Sequence, residues 1–249
     1  MQRNPWRKCL IVATVAAFGA VAAWAAQAPA SKATGKATRK PARKASNKDL
    51  YLDQGAPPDS VKPTVKFWVE RYSADSRDLD YVLNGDEEVY HTGDKVVFKF
   101  SANVASYAYL VNKGSSGKVS MLYPGPAGRD NHVPARQVRT MPSKEGAFQF
   151  TAPSGKEELC LVLSPQKIQE FEDIAEESRS RSFELNKDNQ GIWDKVVKDS
   201  KVLGKSKDLV LEQDSNPSDG ETPGNYVTDY GSDGFSKPIS IYMSLRHEP

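Results

Sequence analysis

The chain has 249 residues, of which 38% are hydrophobic, and a formal net charge of +2, which is enough apolar sequence for one sizeable folded domain. Its 17 glycines and 16 prolines, beside only 9% aromatic residues, exclude a simple helical bundle and favour a β protein with many loops. With only two cysteines, the fold cannot depend on a framework of disulfides.

The first 25 residues have the three parts of a secretory signal peptide. A positively charged start precedes an almost unbroken apolar run, Cys9 to Trp24, and small residues suit cleavage after Ala25. This predicts an exported protein, periplasmic or secreted, and the alternative is an uncleaved membrane anchor. After cleavage Cys160 is the only cysteine, so no intrachain disulfide is expected. Cleavage also removes the apolar run, so no stable membrane span is expected.

Residues 26–59 are predicted to be a disordered basic linker. The part from Gln27 to Lys48 has seven basic residues, no acidic one and no apolar pattern. The chain after Lys48 has 24 basic and 32 acidic residues, so a basic tail precedes an acidic body. A soluble spacer is favoured over a polyanion-binding arm. The expected partner is another envelope protein or an anionic envelope polymer, and not nucleic acid.

Residues 60–249 are predicted to form a single, mainly β domain, an antiparallel β-sandwich. Its first strands are recognised by apolar residues at every second position. A short hairpin about Asn84-Gly85 is expected within Leu79–Tyr90, because this dipeptide favours a two-residue turn. Residues 113–118 are a second turn. The predicted strands around these turns are Val65–Tyr72, Lys95–Phe100, Tyr107–Val111 and Val119–Tyr123.

The middle of the chain adds two strands and then a short helical insert. Residues 129–141 are a polar loop with at most one short strand, and strands follow at Phe148–Phe150 and Glu158–Ser164. The insert, about 165–200, begins with Ser164 as the N-cap and Pro165 as the first helical residue. Gly191–Val197 is predicted as a second helix.

The chain ends with two more predicted strands, Asp208–Glu212 and Ile239–Leu245. Between them, Asp214–Lys237 is predicted to be a long loop. The final strand has the cleanest alternation of the chain, so it should have one core face. Val65–Tyr72 is its expected neighbour, because the two segments match in length and alternation.

The strands between residues 89 and 164 also resemble a known family. The pattern is a Gly-Asp turn, three strands ending in Tyr-Pro, a Phe-x-Phe strand and a Gly-x-Glu before the next strand. Its residues are Gly93-Asp94, Val96–Phe100, Tyr107–Val111, Gly117–Val119, Leu122–Pro124, Phe148–Phe150 and Gly155–Leu159. They resemble the bacterial family catalogued as domain of unknown function 4384. The resemblance implies a β-rich module of exported or envelope-associated proteins, with no agreed activity and no catalytic residues.

No catalytic, cofactor-binding or metal-binding residues are predicted, and no cofactor. The three histidines, His91, His132 and His247, lack metal-ligand spacing, and Asp214–Gly220 departs from the spacing of a calcium loop. Cys160 is interpreted as a small apolar residue on a strand, since nothing beside it would activate a thiol. Trp68, opposite the core face of its strand, is expected to be buried.

These observations favour a non-enzymatic binding or assembly module of the cell envelope. The alternative is an envelope hydrolase whose site lies in the 129–141 and 214–237 segments. An enzyme should bring polar residues together in one concave pocket, whereas a binding module should present an aromatic patch or a sheet edge.

Overall fold

The computed structural model describes residues 45–55, 60–74, 79–82, 88–115, 119–124, 130–142, 146–180, 191, 194–195 and 198–249. The predicted signal peptide, 1–25, and residues 26–44 of the predicted linker lie outside this part. The described residues all belong to one compact unit. No helix among the described residues is long and apolar enough to cross a membrane.

The described elements are mainly strands, with two helices. The helices are α1 (Asn47–Leu52) and α2 (Gln169–Ser180). The strands are β1 (Thr64–Tyr72), β2 (Leu79–Val82), β3 (Val89–His91), β4 (Lys95–Ala102), β5 (Ser106–Lys113), β6 (Val119–Tyr123), β7 (His132–Val133), β8 (Arg139–Met141), β9 (Phe148–Gln149), β10 (Gly155–Ser164), β11 (Lys201–Val202), β12 (Leu209–Asp214), β13 (Gly224–Asp229) and β14 (Ile239–Glu248).

The strands form two sheets. In the first sheet the order is β12-β13-β1-β4-β8, with β2 also beside β1 and β9 beside β4. In the second it is β11-β14-β10-β5-β6, with β3 beside β14 and β7 beside β5. All pairings are antiparallel except those of β14 with β11 and β3, which are parallel. The prediction of a mainly β, largely antiparallel sandwich is confirmed.

One apolar core lies between the two sheets. Every second residue of β1 and β4 points into it, and the second sheet contributes the matching face of β5, β10 and β14. This alternation is the pattern that the sequence shows. The fully buried large side chains of the core are Tyr90, Phe100, Leu110, Met141, Leu161, Leu163, Ile239, Ile241 and Leu245.

α2 covers the outer face of the second sheet. Phe171 and Ala175 pack there on a smaller apolar cluster that includes Tyr109 and Cys160. The helix begins at Gln169, later than predicted, because Ser164 is still paired with Tyr107 in the β10–β5 ladder. Most of the predicted second helix, 191–197, lies outside the described residues.

A carboxylate fixes α2 to the sheet. Glu172 Oε1 accepts hydrogen bonds from Tyr109 Oη at 2.7 Å and from Asn131 Nδ2 at 2.8 Å, and Lys167 Nζ lies 3.2 Å from Oε2. Partial burial acts to raise the pKa of Glu172, but the hydrogen bonds from Tyr109, Lys167 and Asn131 outweigh it and lower the pKa below its ordinary value.

This lowered pKa predicts an acid-sensitive contribution to stability. Because the folded-state pKa is below the unfolded one, the contribution is present above the ordinary glutamate pKa of about 4.3 and is lost as the pH falls through the folded value. Urea unfolding across this range should show a shallower acid loss for Glu172→Gln than for wild type. An acid profile of Glu172→Gln equal to that of wild type would contradict the assignment.

The prediction of a disordered linker over 26–59 is wrong for its described part, residues 45–55, because α1 lies there. Ser46 and Asp49 form a capping box, with the Ser46 Oγ accepting from Asp49 N and the Asp49 carboxylate accepting from Ser46 N, both at 3.0 Å. The helix packs on β13, β12 and β1. The sequence analysis missed α1 for two reasons. The surrounding composition is basic and polar, and six residues are too few to show a helical period.

Polar contacts hold α1 on the outer face of the first sheet. Asn47 is 2% exposed, and its Nδ2 donates to the carbonyls of Val210 at 2.8 Å and Tyr226 at 3.2 Å. Its Oδ1 accepts from Tyr230 Oη at 2.8 Å. Lys48 Nζ lies 2.8 Å from the Asp214 carboxylate. The helix is therefore part of the folded unit.

Asn47→Ala should lower the free energy of unfolding by about 2–3 kcal/mol, since it removes three side-chain hydrogen bonds worth about 1 kcal/mol each. Denaturant unfolding measures the loss. Gln54→Ala, at an exposed position just after α1, should have an effect below about 0.5 kcal/mol. An equally small effect of Asn47→Ala would show that α1 adds nothing to the fold.

Two predictions of strand arrangement are wrong. β14 pairs with β10 over nine positions and lies in the second sheet, whereas its expected neighbour β1 lies in the first. β2 and β3 do not form a hairpin, because β2 pairs with β1 and β3 with β14. The Asn84-Gly85 turn lies outside the described residues. Alternation identified β14 as a strand but could not assign it to a sheet, and the turn signal at Asn84-Gly85 did not show which strands would pair.

The predicted Asp214–Lys237 loop contains a central strand. Every residue of β13 is buried, between the core on one side and α1 on the other. A strand that is covered on both faces need not alternate, and Gly224 and Asn225 are poor strand formers. A Cβ at Gly224 would lie 2.6 Å from Lys66 Cε, so a larger residue there would displace the end of the Lys66 side chain.

Candidate binding site

One candidate site is a cavity of about 240 Å³ with lining residues from both sheets, here called the interior pocket. Its walls come from β4 and β9 in the first sheet and from β5, β6, β10 and β14 in the second. Gln149 and Thr151, both exposed, lie at its mouth. The remaining lining residues are Val96, Phe98, Asn112, Leu122, Phe148, Phe150, Glu157, Leu159 and Leu245.

Three phenylalanines give the interior pocket an aromatic wall. The rings of Phe98 and Phe148 lie 6.0 Å apart, and Phe150 stacks on Tyr90 at 4.8 Å. Phe150 also approaches the buried ring of His247 at 5.2 Å. These contacts fix Phe150 from behind, while Phe148 is only partly buried. The pocket can therefore take an apolar group.

Two polar side chains, Asn112 and Glu157, also line the interior pocket. Glu157 Oε2 accepts from Asn112 Nδ2 at 2.8 Å, and Oε1 accepts from Ser115 N at 3.1 Å. Asn112 Oδ1 is buried and has no hydrogen-bond partner among the described residues. Gly155 allows this arrangement, because a Cβ there would lie 2.7 Å from Ser115 Cβ. Glu157 is thus held in place with acceptor capacity to spare.

The Gly-Asp turn before β4 supports the same end of the sandwich. The Asp94 carboxylate, 4% exposed, accepts from Ala74 N at 2.9 Å and from His91 N at 3.0 Å. Phe150 N donates to Asp94 O at 3.0 Å, which ties the Phe148–Phe150 segment to the turn. Gly93 has a φ of +100°, which favours glycine. This turn has a structural role.

The two segments of the hydrolase alternative lie apart in the fold. Residues 130–141 contain β7 in the second sheet and β8 in the first, which is one strand more than predicted. Within the first sheet, β8 is separated from β13 by β1 and β4. The best-formed pockets among the described residues take lining residues from at most one of the two segments. Two of the predicted loop residues have structural roles instead. Asp214 pairs with Lys48, and Arg136 donates to the carbonyls of Tyr51 and Asp53.

The histidines are spread over the fold. His91 is exposed at the end of β3, His132 lies in β7, and His247 is buried with Nε2 2.9 Å from Thr92 Oγ1. Among the residues that the structure describes, no group of three or more His, Cys, Asp or Glu is arranged to hold a metal ion.

Two single-residue predictions are confirmed. Cys160 is 1% exposed in the apolar cluster beneath α2, and burial raises the pKa of its thiol to about 12, so it is un-ionised at neutral pH. Trp68 is 6% exposed, and its Nε1 donates to Glu70 Oε1 at 3.2 Å.

Tyr242 is 37% exposed and lines a shallow groove beside β14.

A buried ion cluster connects the two sheets at another place. Lys201 of β11 lies 2.7 Å from the Asp229 carboxylate at the end of β13 and 2.5 Å from Asp233. Burial acts to lower the pKa of Lys201, but its hydrogen bonds to Asp229 and Asp233 outweigh this and raise the pKa. Asp229 is fully buried and also accepts from Gly231 N at 2.9 Å. Nothing in the sequence pattern predicted this cluster.

The predicted resemblance is confirmed by a family model. The model described as Domain of unknown function (DUF4384) matches residues 89–167, from β3 to the residues just before α2. No curated protein and no solved structure matches the chain. All the lining residues of the interior pocket except Leu245 belong to the matched segment.

Proposed function

We propose that this chain is an exported, non-enzymatic binding module of the bacterial cell envelope, and that the interior pocket holds an apolar group of an envelope protein. The observation that carries this proposal is the composition of the pocket. Apolar and aromatic side chains of both sheets surround two fixed polar groups, which is the usual form of a binding site. The family-matched segment supplies nearly all of it.

The position of the interior pocket supports the role of a module. Phe148, Gln149 and Thr151 are accessible at its mouth, whereas Phe98 and Leu159 are buried deep inside. A partner can therefore insert one side chain and contact the rim with its backbone. Binding of this kind concentrates its energy in a central apolar anchor, and the rim excludes water around it.

Photo-crosslinking in cells tests this proposal. A photoreactive amino acid at position 149, at the mouth of the pocket, should give a discrete protein adduct in the envelope fraction. The same group at position 138, which is 49% exposed and away from the pocket, should not. Phe148→Ala should abolish the adduct from position 149. Equal adducts from both positions, or none from position 149, would contradict the proposal.

Export is a separate part of the proposal, and it is supported by the signal-like sequence of residues 1–25. Fractionation of cells, followed by N-terminal sequencing of the native protein, tests it. The expected result is a mature protein that begins at Ala26 and is recovered outside the cytoplasm. A cytoplasmic protein with Met1 intact would overturn export while leaving the pocket to be tested on its own.

A further inference from the structure

The charges around the interior pocket favour one class of ligand. Of the described residues that line the pocket, Glu157 is the only charged one. It has no ion-pair partner among the described residues, since its two carboxylate oxygens accept from an amide side chain and from a backbone N–H. The Glu157 carboxylate is negatively charged and its two hydrogen-bond donors are neutral, so it attracts a cation.

The aromatic wall favours the same class. An ammonium group is attracted to the faces of aromatic rings and also to a carboxylate. Phe98, Phe148 and Phe150 provide the rings, while Leu122 and Leu159 suit a hydrocarbon stem. The unpartnered Asn112 Oδ1 adds a second acceptor among the lining residues and no positive charge.

We infer that the interior pocket binds a primary ammonium group carried on an apolar stem. The inference rests on the proposed function and makes it more specific, because it names the chemistry of the bound group. The aliphatic stem packs among the phenylalanines and leucines, and the ammonium group binds beside Glu157. Two sources share this chemistry, a lysine side chain of a protein partner and a free alkylamine.

Calorimetric titration of the mature chain with three ligands of equal length tests the inference. n-Hexylamine should bind about tenfold more tightly than n-hexanol, which corresponds to about 1.4 kcal/mol. Hexanoate should not bind detectably, because its charge repels that of Glu157. A lysine blocked at both ends distinguishes the sources, since tighter binding than n-hexylamine indicates a protein partner and weaker binding indicates a free amine.

Two neighbouring glutamates provide a matched pair of variants. Glu157→Gln should lower the affinity for n-hexylamine about tenfold, to the level of n-hexanol, and leave the affinity for n-hexanol unchanged. Glu158→Gln should leave both affinities unchanged, because the Glu158 side chain is on the other face of β10 and 44% exposed.

The outcomes separate this inference from the proposed function. Equal binding of n-hexylamine and n-hexanol to the wild-type chain overturns the inference and leaves an apolar binding site. This comparison decides the matter even if Glu157→Gln fails to fold. Retention of the amine preference by a folded Glu157→Gln variant also overturns the inference. Absence of binding by all three ligands and by the blocked lysine counts against both.

Discussion

Replacement of Lys201 by methionine is expected to lower the free energy of unfolding by roughly 3–5 kcal/mol, the usual cost of removing one partner of a buried ion pair. The loss follows from Asp229, which is fully buried and would keep its negative charge without a cation. Asp233 would be little affected, since its side chain is 40% exposed and water can solvate it. Denaturant unfolding at neutral pH measures the effect.

Two further variants identify the cause of that loss. Lys205→Met, at an exposed position on the same side of the molecule, should change stability by less than about 0.5 kcal/mol. Adding Asp229→Asn to the Lys201→Met variant should recover part of the stability, because the neutral amide oxygen still accepts from Gly231 N. A double variant less stable than Lys201→Met alone would show that the buried charge is not the source of the loss.

Ile241→Ala is expected to cost roughly 2–5 kcal/mol, the range for emptying a buried aliphatic site. Ile241 is fully buried in the core and lies opposite Leu161 of β10 in the middle of the second sheet. The strand ends the chain, yet it pairs with β10, β11 and β3. The prediction therefore tests whether the last strand is an integral part of the sandwich.

Tyr242→Ala is the matched control, since Tyr242 is the next residue, points to the outer face and is 37% exposed. It should cost clearly less than Ile241→Ala under the same denaturant conditions. Small and equal losses at both positions would mean that the terminal segment is a loose tail, and the second sheet would have to form without it.

The regular strands could be predicted from the sequence because their physical cause is local. Strands such as β4 and β14 have one face in the core, and the two-residue period places alternate side chains there. Neighbours could not be predicted in this way, because both sheets of a sandwich contain such strands. β13 was not predicted, because α1 and the core bury both of its faces and its residues therefore need not alternate. α1 itself had a local signal, the Ser46 and Asp49 capping box, which the basic composition obscured.

The candidate site was only partly visible in the sequence. Phe148, Phe150 and Glu157 stand out in the family-like pattern, yet nothing local says that they line one cavity. β9 and β10, which carry Phe148 and Glu157, lie in different sheets, so their approach depends on how the two sheets pack. Asn112 gave no signal at all. The turn residues Gly93 and Asp94, in contrast, are explained by the fold alone.

Methyl NMR decides whether the interior pocket is a ligand site. The protein, labelled on leucine and valine methyl groups, is titrated with n-hexylamine. We expect saturable shifts for Val96, Leu122, Leu159 and Leu245, which line the pocket, and none for Val210, exposed on β12. Shifts confined to surface methyl groups, or none at saturating amine, would contradict it.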